Sequence, residues 1–128
     1  MVQLPFLGSL LRRVTREFLQ SAFPSCSFRE AADGAAALEA CHAYRPQLVL
    51  MDICLPDANG IELTARLGTL YPGIRVIVVS QKSGEVYVQQ ALAAGARAYV
   101  CKDDIFTELV PAVAAAIGIQ PATVAGAS

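Results

Sequence analysis

Three polar side chains, Asp52, Ser80 and Lys102, each close a run of mostly apolar residues in this chain of 128 residues, and their types suit the handling of a phosphoryl group. Asp52 follows Leu48-Val49-Leu50-Met51, Ser80 follows Ile74-Arg75-Val76-Ile77-Val78-Val79, and Lys102 follows Ala98-Tyr99-Val100-Cys101. A carboxylate is a nucleophile toward phosphorus, and the charge of the transferred group must be met by cations and hydrogen-bond donors already in place. Ser80 can donate, and Lys102 supplies a fixed positive charge. Residues 48–60, reading LVLMDICLPDANG, put Pro56 and Gly60 in the loop directly after the carboxylate.

The elements around these residues explain why they should converge. A short apolar run without polar alternation suits a strand covered on both faces, as in a parallel sheet. Strands are therefore expected over residues 47–51, 74–79 and 98–101, with a short one at 26–30. Leu7, Leu10, Leu11, Val14 and Phe18 recur at helical spacing, which predicts an amphipathic helix over residues 9–23, begun by Ser9 and ended by Pro24. Asp33 caps an Ala-rich helix that stops at Tyr44 before Pro46. Further helices are expected over residues 61–70, from Gly84 or Glu85 to Ala94 and closed by Gly95, and from Asp103 or Asp104 to Ile117. Strand and helix alternate throughout, so the fold class is α/β with βαβ crossovers, and a first strand at residues 2–4 completes five pairs. Pro5 is a poor neighbour for a central strand, because it lacks a backbone donor. Three strands ending on one edge would bring Asp52, Ser80 and Lys102 within reach of each other.

Composition narrows the function. The length suits one domain, placed at residues 1–117, and residues 118–128, rich in Ala, Gly and Pro, read as a flexible tail or linker. A net charge of -1 gives no basic excess for direct nucleic-acid binding. No apolar run reaches membrane-spanning length without a charge or breaker, and no secretory leader is recognisable, so a cytoplasmic protein is expected. Cys26, Cys41, Cys54 and Cys101 form no Cys-x-x-Cys pair and read as reduced, mostly buried thiols, while His42 reads as a surface or edge residue. The position two residues after Asp52 is Cys54, not the second Asp that a haloacid-dehalogenase phosphatase would carry. No Gly-rich phosphate loop and no hydrolase triad is present, and an enzyme is not expected.

Asp52, Pro56 and Gly60 resemble the Asp-x-x-x-Pro-x-x-x-Gly signature of the receiver domain of two-component response regulators, a CheY-like superfamily. The residues at 93–99, Ala-Ala-Gly-Ala-Arg-Ala-Tyr, followed by Lys102-Asp103-Asp104, look most like receivers of the NarL/LuxR type, which precede a helix-turn-helix domain. The resemblance implies a flavodoxin-like doubly wound sheet of order 2-1-3-4-5 with helices on both faces. It implies Asp52 as phosphoacceptor, Ser80 and Lys102 as phosphate-sensing groups, Tyr99 as the switch aromatic, and Pro56 and Gly60 as loop support. It further implies a histidine kinase or small phosphodonor as partner, with a homodimer or an output domain engaged through the fourth helix, fifth strand and fifth helix.

One part of the family pattern is missing. Counting back from Asp52 without gaps, the acidic pair of such receivers falls on Phe6 and Leu7, and no Asp or Glu precedes Glu17. Mg2+ wants a near-octahedral shell of oxygens, and only Asp52 and the backbone carbonyl of Cys54 would stand as ligands, so a weak or absent Mg2+ site is expected. Asp57 is either a substitute ligand or a support for the turn made with Asn59 and Gly60. A standing Asp52–Lys102 ion pair offers an alternative to metal. At about 4 Å and an effective dielectric near 20 such a pair gains roughly 4 kcal/mol before desolvation. Two functions follow: a phosphoacceptor module of a two-component regulator, or an atypical receiver acting as a phosphorylation-independent dimerisation or interaction module.

Overall fold

A computed structural model describes residues 2–4, 9–82 and 84–122. Phe6 and Leu7, with Pro5, lie outside the described residues. The elements run β1 (Val2–Leu4), α1 (Ser9–Ala22), β2 (Phe28–Glu30), α2 (Gly34–Tyr44), β3 (Leu48–Met51), α3 (Gly60–Leu70), β4 (Arg75–Ser80), α4 (Glu85–Ala93) and β5 (Ala98–Cys101). A 3-10 turn (Lys102–Asp104) and a π-helical turn (Ile105–Leu109) then lead into α5 (Val110–Ile117). The strands form one parallel sheet of order β2-β1-β3-β4-β5, the doubly wound arrangement implied above.

Alternate residues of the central strands feed two cores. Leu48, Leu50, Ile77 and Val79 pack with Leu19, Phe23 and Leu109 on the face covered by α1 and α5. Val49, Met51, Val76 and Val78 pack with Cys41, Leu63, Leu67 and Ala91 on the face of α2, α3 and α4. Burial on both sides is why β3 has no polar alternation: all four of its residues are buried. The register matters for the site. Met51 pairs with Val78 and Ser80 with Cys101, so Asp52, Ser80 and Lys102 leave the sheet at the same carboxyl edge.

Helix ends follow local chemistry. Asp33 accepts the Ala36 N–H at 2.8 Å and caps α2, which closes on Arg45 in a left-handed conformation (φ 48°) before Pro46. Asn59 accepts from Ile61 and Glu62 and starts α3. Two boundaries differ from the sequence expectation. β2 begins at Phe28 because Cys26 belongs to the turn that leaves α1: its N–H bonds the Phe23 carbonyl at 3.0 Å and its carbonyl accepts from Gln20 at 2.7 Å. The last helical segment does start at Asp103 and Asp104, but as 3-10 and π turns without a side-chain cap bond, and the regular α-helix begins only at Val110. Pro111 lacks an N–H, and its ring would crowd the carbonyl of Thr107 in a regular helix, so the preceding turn widens to a π turn.

The thiols also differ from expectation. Among the four free cysteines Cys41 is buried, Cys26 and Cys101 are half-buried and Cys54 is exposed. After α5, Gly118 takes a left-handed turn (φ 70°), and the Ala122 N–H bonds the Ala22 carbonyl at the end of α1 at 2.7 Å. Among the described residues no helix is long and apolar enough to cross a membrane.

Candidate functional site at the carboxyl edge of the sheet

A cavity of about 290 Å3 opens at the carboxyl edge and is lined by Asp52, Cys54, Ser80, Gln81, Lys82 and Lys102. Ligands gather at this edge in open α/β sheets. A larger cavity, about 400 Å3, lies at the opposite edge between the ends of α2 and α3, where Arg45 and Tyr71 meet; none of the three predicted groups reaches it.

Asp52 is almost wholly buried, with 1 % of its surface exposed. Lys102 Nζ donates to Asp52 Oδ2 at 2.5 Å, and the Cys54 N–H donates to Asp52 Oδ1 at 3.1 Å. Both partners of the ion pair are buried, with side-chain exposures of 5 % for Lys102 and 2 % for Asp52. A pair this dry forfeits much of its attraction to desolvation, so its geometry has to be held by the fold.

The loop after Asp52 is fixed from below by Gly60. A Cβ at Gly60 would lie 1.8 Å from the Asp52 carbonyl oxygen and 2.9 Å from Ile53 Cα, so only glycine lets α3 start against the strand end. The Gly60 N–H bonds the Ile53 carbonyl at 2.7 Å, and the Leu55 N–H bonds the Ala58 carbonyl at 3.2 Å around Pro56. Asp57 takes neither role expected of it. Its carboxylate accepts from Gly34 N at 2.8 Å and Ala35 N at 3.0 Å, capping α2 from another loop. Those two backbone bonds hold its pKa below the ordinary 3.8.

Ser80 and Tyr99 bracket one residue of the β4–α4 loop. The Ser80 hydroxyl accepts the Lys82 N–H at 3.1 Å, and the Tyr99 hydroxyl donates to the Lys82 carbonyl at 2.6 Å. Burial raises the Tyr99 phenol above its ordinary 10, against the opposing pull of the Ser80 hydroxyl. The Lys82 ammonium lies 5.7 Å from the centre of the Tyr87 ring. Sequence reasoning misses Lys82, because a lysine in a loop reads as solvated. Its position two residues after Ser80, beyond a strand's carboxyl end, is the available signal.

Among the described residues the donor set does not make an Mg2+ shell. Asp52 already receives Lys102 and Cys54, and Asp57 is committed to α2. Among the described residues no group of three or more His, Cys, Asp or Glu side chains converges on one point, and residues 5–8, Pro-Phe-Leu-Gly, carry no carboxylate.

A parallel five-stranded sheet of order 2-1-3-4-5 between two layers of helices is the flavodoxin-like doubly wound class. Residues 9–114 match the response regulator receiver domain, and the chain belongs to that family. It is 40% identical over 81 residues to the transcriptional regulatory protein DegU of Brevibacillus brevis, a match covering 63% of this chain and 34% of DegU. The chain thus spans about a third of the length of that regulator. The solved receiver domain of NarL from Mycobacterium tuberculosis superimposes with a TM-score of 0.76 at 32% identity, covering 91% of this chain and 95% of that one. A LuxR-family two-component response regulator from Aurantimonas sp. gives a TM-score of 0.80 at 27% identity, covering 93% and 86%. The fold and family implied by the sequence motifs are therefore those of the molecule.

Proposed function

We propose that this receiver domain is switched by phosphorylation of Asp52, with a histidine kinase or a small phosphodonor as the source. The observation that carries the reading is the meeting of Asp52, Ser80 and Lys102 around one cavity, with Lys102 Nζ 2.5 Å from Asp52 Oδ2. A carboxylate oxygen of Asp52 forms a bond to phosphorus as the bond from phosphorus to the donor's nitrogen or oxygen breaks, and the donor leaves with that electron pair. Lys102 meets the charge on the transferred oxygens, and Ser80 turns its hydroxyl from the Lys82 N–H toward them. No step is assigned to Mg2+, whose site is weak or absent in this reading.

Ser80 and Tyr99 both hold Lys82, so movement of the Ser80 hydroxyl loosens the β4–α4 loop and biases a two-state element. The surface of α4, β5 and α5 then changes its affinity for a second copy or an output domain. Exposed Val86 and Leu92 on α4 support a partner there. Residues 1–117 form the receiver unit and 118–128 a flexible tail or linker, in a cytoplasmic regulator whose DNA contacts are made elsewhere. Light scattering before and after treatment with acetyl phosphate, on the wild type and Asp52→Asn, tests the switch: the expected result is a change in mass or partner affinity in the wild type alone.

The buried ion pair supports a second reading. Lys102 on Asp52 imitates one signalling state without phosphate, and the domain acts as a phosphorylation-independent interaction module. In that case Lys102→Ala changes partner binding while acetyl phosphate does not.

A further inference from the structure

We propose that the cavity beside Asp52 is a metal-independent phosphoryl site in which Lys82 supplies the second positive charge. The inference rests on Asp52 as the residue that takes the phosphoryl group. An aspartyl phosphate carries a charge of about -2 near neutral pH. A divalent ion is useful where carboxylates around the phosphoryl group add further negative charge, but residues 5–8 contribute none and Asp57 is turned to α2. Lys102 and Lys82 both line the cavity, and their two charges balance the dianion.

The placement of Lys82 suits this role. Before phosphorylation its backbone is held at both ends, the N–H by Ser80 and the carbonyl by Tyr99; once the Ser80 hydroxyl turns to the phosphoryl group, the Tyr99 bond still keeps the stem at the rim. Its side chain is exposed, and its ammonium rests toward the Tyr87 ring, 5.7 Å from the centre, a contact worth little at an exposed site. A tetrahedral anion on Asp52 offers a stronger partner, because a charge-assisted hydrogen bond to a phosphoryl oxygen is about twice as strong as a neutral one. Lys82 leaves Tyr87 for the phosphoryl oxygens, and the same swing removes a cation from the surface of α4. The charge that completes the site therefore also reports its occupancy.

The covalent step balances without a metal. With acetyl phosphate, an Asp52 oxygen bonds to phosphorus, the bond from phosphorus to the acetate oxygen breaks, and acetate leaves with the electron pair. Intact mass after incubation with acetyl phosphate in EDTA and in excess Mg2+ tests the proposal on the wild type, Lys82→Gln and Lys82→Arg. The expected result is equal labelling of the wild type in both buffers, labelling of Lys82→Gln slowed about tenfold or more, and recovery in Lys82→Arg. Labelling that needs Mg2+, or a Lys82→Gln variant as fast as the wild type, overturns it. If no variant is labelled in either buffer, the phosphoacceptor reading fails separately, and beryllofluoride in Mg2+-free buffer decides the site. Amide NMR shifts at Ser80 and Lys82 in the wild type, lost in Lys82→Gln, support the two-lysine site, and no shift overturns it.

Discussion

Gly60→Ala should damage the site from beneath without touching any side chain in it. The added methyl would stand 1.8 Å from the Asp52 carbonyl oxygen, 2.7 Å from its carbonyl carbon and 2.9 Å from Ile53 Cα. All three are backbone atoms, so no flexible side chain can give way, and the start of α3 must part from the end of β3 by more than about 1 Å, the scale of a steric overpacking defect. The Gly60 N–H bond to Ile53 at 2.7 Å opens with it. Overpacking of this kind costs about 1–3 kcal/mol and occasionally more. A displacement near 1 Å at a reacting group lowers a rate roughly 100-fold. Urea denaturation followed by circular dichroism reads the first effect, and the rate of labelling by acetyl phosphate reads the second. Gly68, inside α3, is the control, because a methyl added there meets nothing within 4 Å: Gly68→Ala should stabilise by about 0.5–1 kcal/mol through helix propensity. A Gly60→Ala protein with the wild-type midpoint and labelling rate would show that the contact between α3 and the end of β3 does not hold the site.

Lys102→Ala should destabilise by about 3 kcal/mol by stripping a buried carboxylate of its ammonium, while Asp52→Asn combined with Lys102→Met should recover part of that loss. A double-mutant cycle in urea measures the coupling, and a value near zero would count against a structural ion pair. Asp57 has a native pKa below its unfolded value, so the unfolded chain binds the proton first as pH falls. Its contribution to stability is present above about pH 4 and lost as pH drops through the native value; Asp57→Asn should flatten that part of the acid-stability profile. Asp33→Ala removes the other cap of α2 and should cost about 1 kcal/mol in thermal or urea unfolding. Burial raises the Cys41 thiol to about 11, so iodoacetamide at mildly alkaline pH should modify exposed Cys54 well before Cys41, as peptide mass mapping would show.

The central triad was legible because Asp52, Ser80 and Lys102 each interrupt an apolar run at a strand end, and parallel strands end on one edge. The strand order itself came only with the family resemblance, since apolar runs do not say which strands are neighbours. What the sequence hid are contacts between segments. The bonds from Gly34 and Ala35 to Asp57 join the first turn of α2 to a loop 23 and 22 residues away, and no local pattern announces them. Lys82 looks like any loop lysine until Ser80 and Tyr99 are seen holding its backbone. Asp103 and Asp104 do mark where the last helical segment begins, but the 3-10 and π turns before Val110 are not legible there, because the widened turn is imposed by Pro111 further along the chain. Apolar character points Cys26 to β2, although its backbone bonds belong to the end of α1.

The most direct test of phosphorylation at Asp52 is the intact mass of the purified chain after incubation with acetyl phosphate, beside Asp52→Asn and an ordinary receiver domain as positive control. The wild type should gain one phosphoryl group and the Asp52→Asn variant none. An unlabelled wild type beside a labelled control, or a variant labelled as fully as the wild type, would contradict it.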